Sequence, residues 1–185
     1  MPIFVARQWV SHRTGRMNEV SGRYSIMKDE FYVPAPDKVQ PQSTDNKQGR
    51  ADEPFPREKA DEIISMLEAG QKSAYENYQE LIDSGLAREV ARVNLPLSLY
   101  TEFYWEMDLH NLFHFLKLRL DTHAQYEIRV YAEAILEICK KVAPMATESF
   151  INHMAGGVSF SGEEMEALRK VMNGEENPLT GKKLD

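Results

Sequence analysis

The stretch LYTEFYWEMDLHNLFHFLKLRL, Leu99 to Leu120, changes its hydrophobic period in the middle. Leu99, Thr101, Phe103, Trp105 and Met107 alternate with Tyr100, Glu102, Tyr104 and Glu106, so a strand here has one apolar face. After Met107 the spacing lengthens. Leu109, Leu112, Phe113, Leu116 and Leu120 fall on one helical stripe, and Asp108 stands where a carboxylate accepts from the free amides of a first turn. The other periodic segments of the chain are nearly all helical. The combination predicts an α+β fold, helix-rich with a small antiparallel sheet, and not an alternating βαβ wrap.

Downstream, Thr122 and Gln125 have the spacing of a capping box for a helix that runs to about Val142, before Pro144. A helix near Thr147 to Met154, a break at Gly156-Gly157 and a helix near Gly162 to Met172 follow. Upstream, LAREVARV predicts a short helix that puts Arg88 and Arg92 one turn apart and ends before Pro96. Ile63, Ile64, Leu67, Ala74, Tyr75, Tyr78, Leu81 and Ile82 make Arg57 to Ser84 an amphipathic helix that Gly85 stops. Residues 34–56 hold five of the nine prolines among polar residues, which reads as a long loop of the kind that is often functional. EFYVPAP, leading into that loop, reads as a strand end. After Pro2, IFVARQWV fits a helix with proline in its first turn, and Ile3 and Val5 leave a strand open. No internal repeat is present.

A chain of 185 residues, 42% hydrophobic and 28% charged, predicts one domain over 1–185. It has no apolar run of membrane-spanning length and no secretory pattern in Met1 to Val10, so a cytoplasmic protein without a membrane is expected. Its one cysteine, Cys139, shares an apolar face with Ile128, Ala132, Ile135 and Val142, which predicts a packed thiol and not a nucleophile. The net charge of −7 is unevenly spread. Residues 1–28 carry Arg7, Arg13, Arg16, Arg23 and Lys28 against Glu19, or +4, which leaves −11 for the rest. A basic island this small suits a phosphate-bearing small molecule better than nucleic acid, which wants a wider stripe. Gly15, Asn18 and Gly22 break any long periodicity there, so their segment is expected to turn its backbone amides to a ligand.

His110 and His114 lie one helical turn apart with His123 nearby, but no Glu, Asp or Cys completes a metal-ligand spacing, and no metal is expected. Arg119 ends the apolar run FHFLKLRL. It lies about 140° around the helix from His114, so one small ligand does not easily touch both. Two readings of it stay open: a cation at the negative end of its own helix, or a group presented to a ligand.

The segment SHRTGRMNEVSGRYS brings these features into one pattern. His12-Arg13, the seven residues Thr14 to Val20, Ser21, and Arg23-Tyr24-Ser25, with Asn18-Glu19 between, resemble the signature of the flavin-dependent thymidylate synthases. In that family Arg-His-Arg precedes seven residues and a serine. REVARVNLP, QSTDNKQGR and YTEFYWEMDLHNLFHFLKLRLDTHAQYEIR resemble the same family, and the likeness extends over Pro2 to Ser149. It implies the thymidylate synthase-complementing protein fold and the reductive methylation of dUMP to dTMP. FAD is the implied cofactor, NADPH and 5,10-methylenetetrahydrofolate the co-substrates, and a homotetramer with sites between subunits the assembly. No cysteine nucleophile is needed.

By the resemblance, Gln8, Trp9, Val10, Ser11, Glu19, Val20, Ser21, Gly22 and Arg23 match positions that cradle dUMP. Arg92 matches one that reaches a dUMP held mainly by a neighbouring subunit. Arg119 matches the catalytic arginine that favours ionisation of the pyrimidine N3. Ser11, His12, Arg13, Glu19, Asp108, Leu109, His110 and His114 match flavin contacts. Three departures stand out. Ser11 replaces the first arginine of the signature, removing a cation and five donors. Asp108 and His110 replace the Asn and Arg of some relatives. The family also carries several dozen residues ahead of the signature, including a flavin-contacting histidine and part of the sheet, so this chain is expected to be N-terminally short of the family pattern. These departures leave room for a second reading, a catalytically weak or inactive flavin- or nucleotide-binding homologue.

Overall fold

The computed structural model describes residues 1–12, 14–44 and 49–179; Arg13, the 45–48 part of the QSTDNKQGR loop and residues 180–185 lie outside the described residues. Among the described residues the elements are α1 (Ile3–Val10), β1 (Arg16–Glu19), α2 (Arg57–Asp83), α3 (Arg88–Ala91), β2 (Phe103–Glu106), α4 (Leu109–Arg119), α5 (Tyr126–Val142), α6 (Pro144–Phe150) and α7 (Gly162–Met172). Two compact units divide the chain, Met1–Ile135 and Leu136–Asp185, with the boundary inside α5.

In the first unit, Pro2 is the N-cap of α1 and not part of its first turn, and its carbonyl accepts from the Val5 and Ala6 amides at 3.0 Å each. The helix buries Val5, Ala6 and Trp9. Trp9 is the meeting point of four other rings: Phe115 of α4 at 4.5 Å, Trp105 and Phe103 of β2 at 5.1 and 6.2 Å, and Tyr131 of α5 at 6.1 Å. Tilted and edge-on aromatic pairs of this kind add about 0.5–1.5 kcal/mol each beyond the area they bury. One indole therefore fixes the end of α1 against strand and helix together.

The regular strand is shorter than the 99–107 alternation predicts. It covers Phe103–Glu106, and single bridges pair Leu99 with Phe31 and Tyr100 with Pro2. The larger correction is β1. Arg16–Glu19 lies in the segment read as a turn with free amides, and it pairs antiparallel with β2, Arg16 opposite Glu106 and Glu19 opposite Phe103. The Val20 amide extends the pairing to the Glu102 carbonyl at 2.8 Å. The apolar face of β2 supplies the reason, because Trp105 lies close against Gly15. A Cβ there would stand 2.7 Å from the indole Nε1, so only glycine lets β1 approach.

Helix α2 organises a second core in this unit. Tyr75 and Tyr78 are buried against Ala91, Met27 and Phe31. Their hydroxyls hold the Met27 backbone: Tyr75 donates to its carbonyl at 2.9 Å, and its amide donates to Tyr78 at 3.1 Å. Gly85, at φ +86°, ends the helix as read. The expected apolar face is uneven, since Met66 and Leu67 of the first half are exposed.

Asp108 caps α4 as read, accepting from the Asn111 amide at 2.9 Å. The buried side of α4 is Phe113, Phe115 and Leu116, whereas Leu109 is exposed. The Thr122/Gln125 capping box does not form. Gln125 offers its carbonyl to the amides of Ile128 and Arg129, and its side chain accepts from the Gln8 side-chain amide of α1. The 34–56 loop folds back on itself, with Gln42 bridged to Arg50 and the Phe55 amide on the Val39 carbonyl at 2.9 Å. Arg50 anchors it to the buried Glu127 of α5, which also accepts from the Tyr32 hydroxyl at 2.7 Å.

In the second unit, α6 starts at Pro144 and continues as a π-helical turn over Ile151–Ala155. Ser161 and Glu164 form a reciprocal capping box at the start of α7. Cys139 is buried, and burial pushes its thiol pKa up, away from the reactive thiolate. Val142, expected on the same face, is 74% exposed because α5 ends there.

The aromatic meeting point predicts the cost of emptying it. Phe115→Ala should lose about 3–5 kcal/mol of stability, read as a fall in the denaturant midpoint, and Val142→Ala should stay within about 0.5 kcal/mol of the parent. Equal midpoints for the two variants would contradict the assignment of the core.

Candidate active site

The residues singled out in the sequence gather into two groups in the first unit. One forms where α1 ends against α4. The Gln8 carbonyl, at the negative end of α1, accepts from the Ser11 hydroxyl at 2.6 Å and from Arg119 Nη2 at 3.4 Å. Arg119 Nε donates to His12 Nε2 at 2.8 Å. Arg119 is therefore a cation at two helix C-termini: it stands in the last turn of α4, and its side chain reaches the last turn of α1.

With Nε2 accepting, the imidazole of His12 carries its proton on Nδ1 and is neutral. Burial, then the charge of Arg119, then His114 lower its pKa from 6.5 to about 4. Burial also lowers the pKa of Arg119. The ring of His12 stands edge-on over Phe115 at 4.8 Å. Phe115 lies between His114 and Arg119 around α4, so a residue from the end of α1 bridges the 140° that separate them in the helix. At the other end of α4, Asp108 and His110 are exposed, and hydrogen bonds from Asn111 hold the Asp108 carboxyl below the usual carboxylate range. His123 pairs with Asp121 at 2.8 Å, and among the described residues no three His, Cys, Asp or Glu side chains gather as a metal site.

The second group surrounds the turn after β1. The Ser21 carbonyl accepts from the amides of Tyr24 and Ser25 at 3.1 Å each, and its hydroxyl accepts from the Arg23 amide at 3.3 Å. These amides serve the turn itself, which corrects the expectation that they are open to a ligand. Cations are what the turn presents. Arg23 pairs with Glu89 at 3.1 Å, and Arg88 donates to the Tyr24 carbonyl at 2.9 Å. Arg92 lies along Gly22, where a Cβ would come within 3.0 Å of its Cδ. Glu19, at the end of β1, accepts from the hydroxyl of the buried Thr101 at 2.6 Å.

Among the described residues no hydrogen bond or ion pair joins the two groups. Trp9 and Val10 differ from their neighbours in kind: Trp9 is only 4% exposed, so it offers no side-chain surface to a ligand, while Val10 is exposed. Gln125, Thr101, Arg88 and Glu89 hold site residues and were not singled out as such. Only Arg88 left a trace in the sequence, through its one-turn spacing from Arg92.

Residues 1–145 match the family described as Thymidylate synthase complementing protein, and residues 158–185 match the Thymidylate synthase ThyX C-terminal domain. The chain thus belongs to the thymidylate synthase-complementing protein family. It is 57% identical over 185 residues to a flavin-dependent thymidylate synthase of Treponema denticola, covering 100% of this chain and 70% of that one. It is 56% identical over 181 residues to that of Treponema pallidum, covering 98% and 59%. For Wolbachia pipientis the figures are 51% over 175 residues, with 95% and 61% covered. The chain thus spans 59% to 70% of the length of these relatives. Among solved structures it resembles a UMP/dUMP methylase, PolB from Streptomyces cacaoi, bound with 5-Br UMP. The TM-score is 0.75 at 33% identity, over 80% of this chain and 70% of that chain. The same protein bound with 5-Br dUMP gives a TM-score of 0.72 at 31% identity, with 82% and 67% covered.

The lowered pKa of His12 fixes a pH dependence. Between about 4 and 6.5 the unfolded chain binds a proton at this site that the folded chain does not. The contribution is full above pH 6.5 and is lost as pH falls through about 4. Unfolding titrations of the parent and of His12→Gln at pH 7, 5.5 and 4 should show the parent losing stability relative to the variant. A constant difference across the three would contradict the buried neutral imidazole.

Proposed function

We propose that this chain carries a flavin-dependent thymidylate synthase activity, converting dUMP to dTMP with 5,10-methylenetetrahydrofolate as carbon donor and NADPH as reductant. The observation that carries the reading is the half-buried Arg119 guanidinium, held by His12 and by the Gln8 carbonyl. A cation fixed in a partly desolvated place stabilises negative charge developing on a bound pyrimidine more than a solvated one does. The names of the relatives and of the structural neighbours support the same reading.

The donor set fits FAD. Ser11, His12 and Glu19 at the end of α1 and along β1, and Asp108, Leu109, His110 and His114 on α4, would hold it together with Arg13. When bound, the flavin supplies the hydride of the reductive step. The chain's own residues orient and polarise. Arg119 stabilises the N3 anion of the pyrimidine, which raises electron density at the carbon to be methylated. Ser21, Arg23 and Arg92 hold the nucleotide phosphate, where the planar fork of arginine gives paired charge-assisted bonds. The ion pair of Arg23 with Glu89 is more than half exposed, so it is worth at most about 1 kcal/mol and yields readily to a phosphate.

The family resemblance implies sites between subunits, and no hydrogen bond or ion pair joins the two groups among the described residues; we infer that a complete site takes the Arg119 group from one subunit and the Arg23–Arg92 group from another, in a homotetramer. No helix among the described residues is long and apolar enough to cross a membrane.

The direct test is dTMP formation by the purified protein supplied with FAD, NADPH, methylenetetrahydrofolate and dUMP; no dTMP under saturating conditions would reject the reading. Arg119→Ala should lower turnover by a factor corresponding to about 3–4 kcal/mol of transition-state stabilisation while shifting the melting temperature little. Ser11 spends its hydroxyl on the Gln8 carbonyl. Ser11→Arg would add a charged donor worth about 1.5–3 kcal/mol, so dUMP affinity or flavin retention should rise at least severalfold in titrations. No change in either would show that the serine is not what separates this site from the family pattern.

A further inference from the structure

We infer that His12 is the positioning residue of Arg119: its imidazole Nε2 fixes one corner of the guanidinium so that the opposite corner is presented to the pyrimidine. The inference rests on the role proposed for Arg119. An arginine at the end of a helix has a long, rotamer-rich side chain, and a misplacement on the order of 1 Å can cost about a hundredfold in rate. Here two corners of the fork are held, Nε by His12 at 2.8 Å and Nη2 by the Gln8 carbonyl at 3.4 Å. Nη1 makes no hydrogen bond among the described residues, and it is the corner left for a ligand.

His12 is itself held firmly enough to serve. Its amide donates to the Trp9 carbonyl at 3.2 Å, and its ring rests on the fully buried Phe115. Trp9 is locked by the aromatic rings around it. The second anchor is braced as well, because the side chain of Gln8 is engaged by Gln125. The charged and titratable groups that act on His12 are Arg119 and His114, both from α4; from α1 it meets only backbone. Among the described residues, every charge it meets therefore opposes a proton on the ring. Protonation would remove the acceptor and set a second cation against the guanidinium.

The two substitutions that separate positioning from packing are His12→Gln and His12→Phe. Glutamine places an amide oxygen near the Nε2 position and does not titrate; phenylalanine keeps the ring on Phe115 without an acceptor. With flavin occupancy equalised and followed by absorbance, His12→Phe should lower kcat for dUMP conversion about tenfold or more and change KM much less. His12→Gln should recover most of the loss, and any acid limb of the parent's kcat profile that belongs to His12 should be gone from it. An independent readout is the Arg119 Nε–H resonance in NMR, slowed in exchange in the parent and in His12→Gln and lost in His12→Phe. If His12→Phe keeps both rate and resonance, or if His12→Gln is as slow as His12→Phe, the inference is overturned. A parent that makes no dTMP would reject the proposed activity, and the resonance would still decide whether His12 positions Arg119.

Discussion

A guanidinium donates to an imidazole nitrogen only while that nitrogen is unprotonated, and the hydrogen bond from Arg119 to His12 makes this condition structural. The two residues are 107 positions apart in the chain. They meet because Trp9 and Phe115 pack together at 4.5 Å and bring the end of α1 onto the middle of α4. Apolar packing therefore sets where the polar contact occurs, and burial then keeps the imidazole neutral. A hydrogen bond to a charged group is worth about 1.5–3 kcal/mol, while the ring cluster beneath it involves several times that amount. The contact is a consequence of the core and does not compete with it.

The small sheet does for the second arginine group what the aromatic cluster does for the first. Pairing β1 to β2 carries the chain past Glu19 and delivers the Ser21–Arg23 turn beside α3, where Arg88 of the helix and Arg92, just past its end, meet it. The two groups differ in how firmly they are made. Arg119 is half-buried and held at two corners, as suits a group that must stabilise a charge in a fixed place. Arg23 and Glu89 are exposed and loosely paired, as suits a group that exchanges one anion for another on binding.

Much of this architecture was legible because it follows local rules. The change of period at Met107, the Asp108 cap and the Gly85 stop each depend on residues within a few positions of one another, and each stands where it was expected. β1 was not legible: Arg-Met-Asn-Glu has no alternation, and it becomes a strand because β2 offers an edge and Gly15 allows close approach to Trp105. Phe115 lies just off the apolar stripe of α4 and is buried because a second partner, Trp9, covers that side. Gln125 was read as a local cap and is taken instead by a residue over a hundred positions away. The candidate site residues were named by resemblance; their division into two groups and the link between His12 and Arg119 are tertiary facts that no spacing encodes.

At working pH His12 is a neutral hydrogen-bond acceptor for Arg119. Nitrogen NMR of the His12 imidazole across pH 3 to 8 tests it most directly, since the two ring nitrogens report tautomer and charge separately. A proton on Nδ1, a bare Nε2 and a titration near pH 4 are expected. A ring that titrates near 6.5, or one that carries its proton on Nε2, would contradict it.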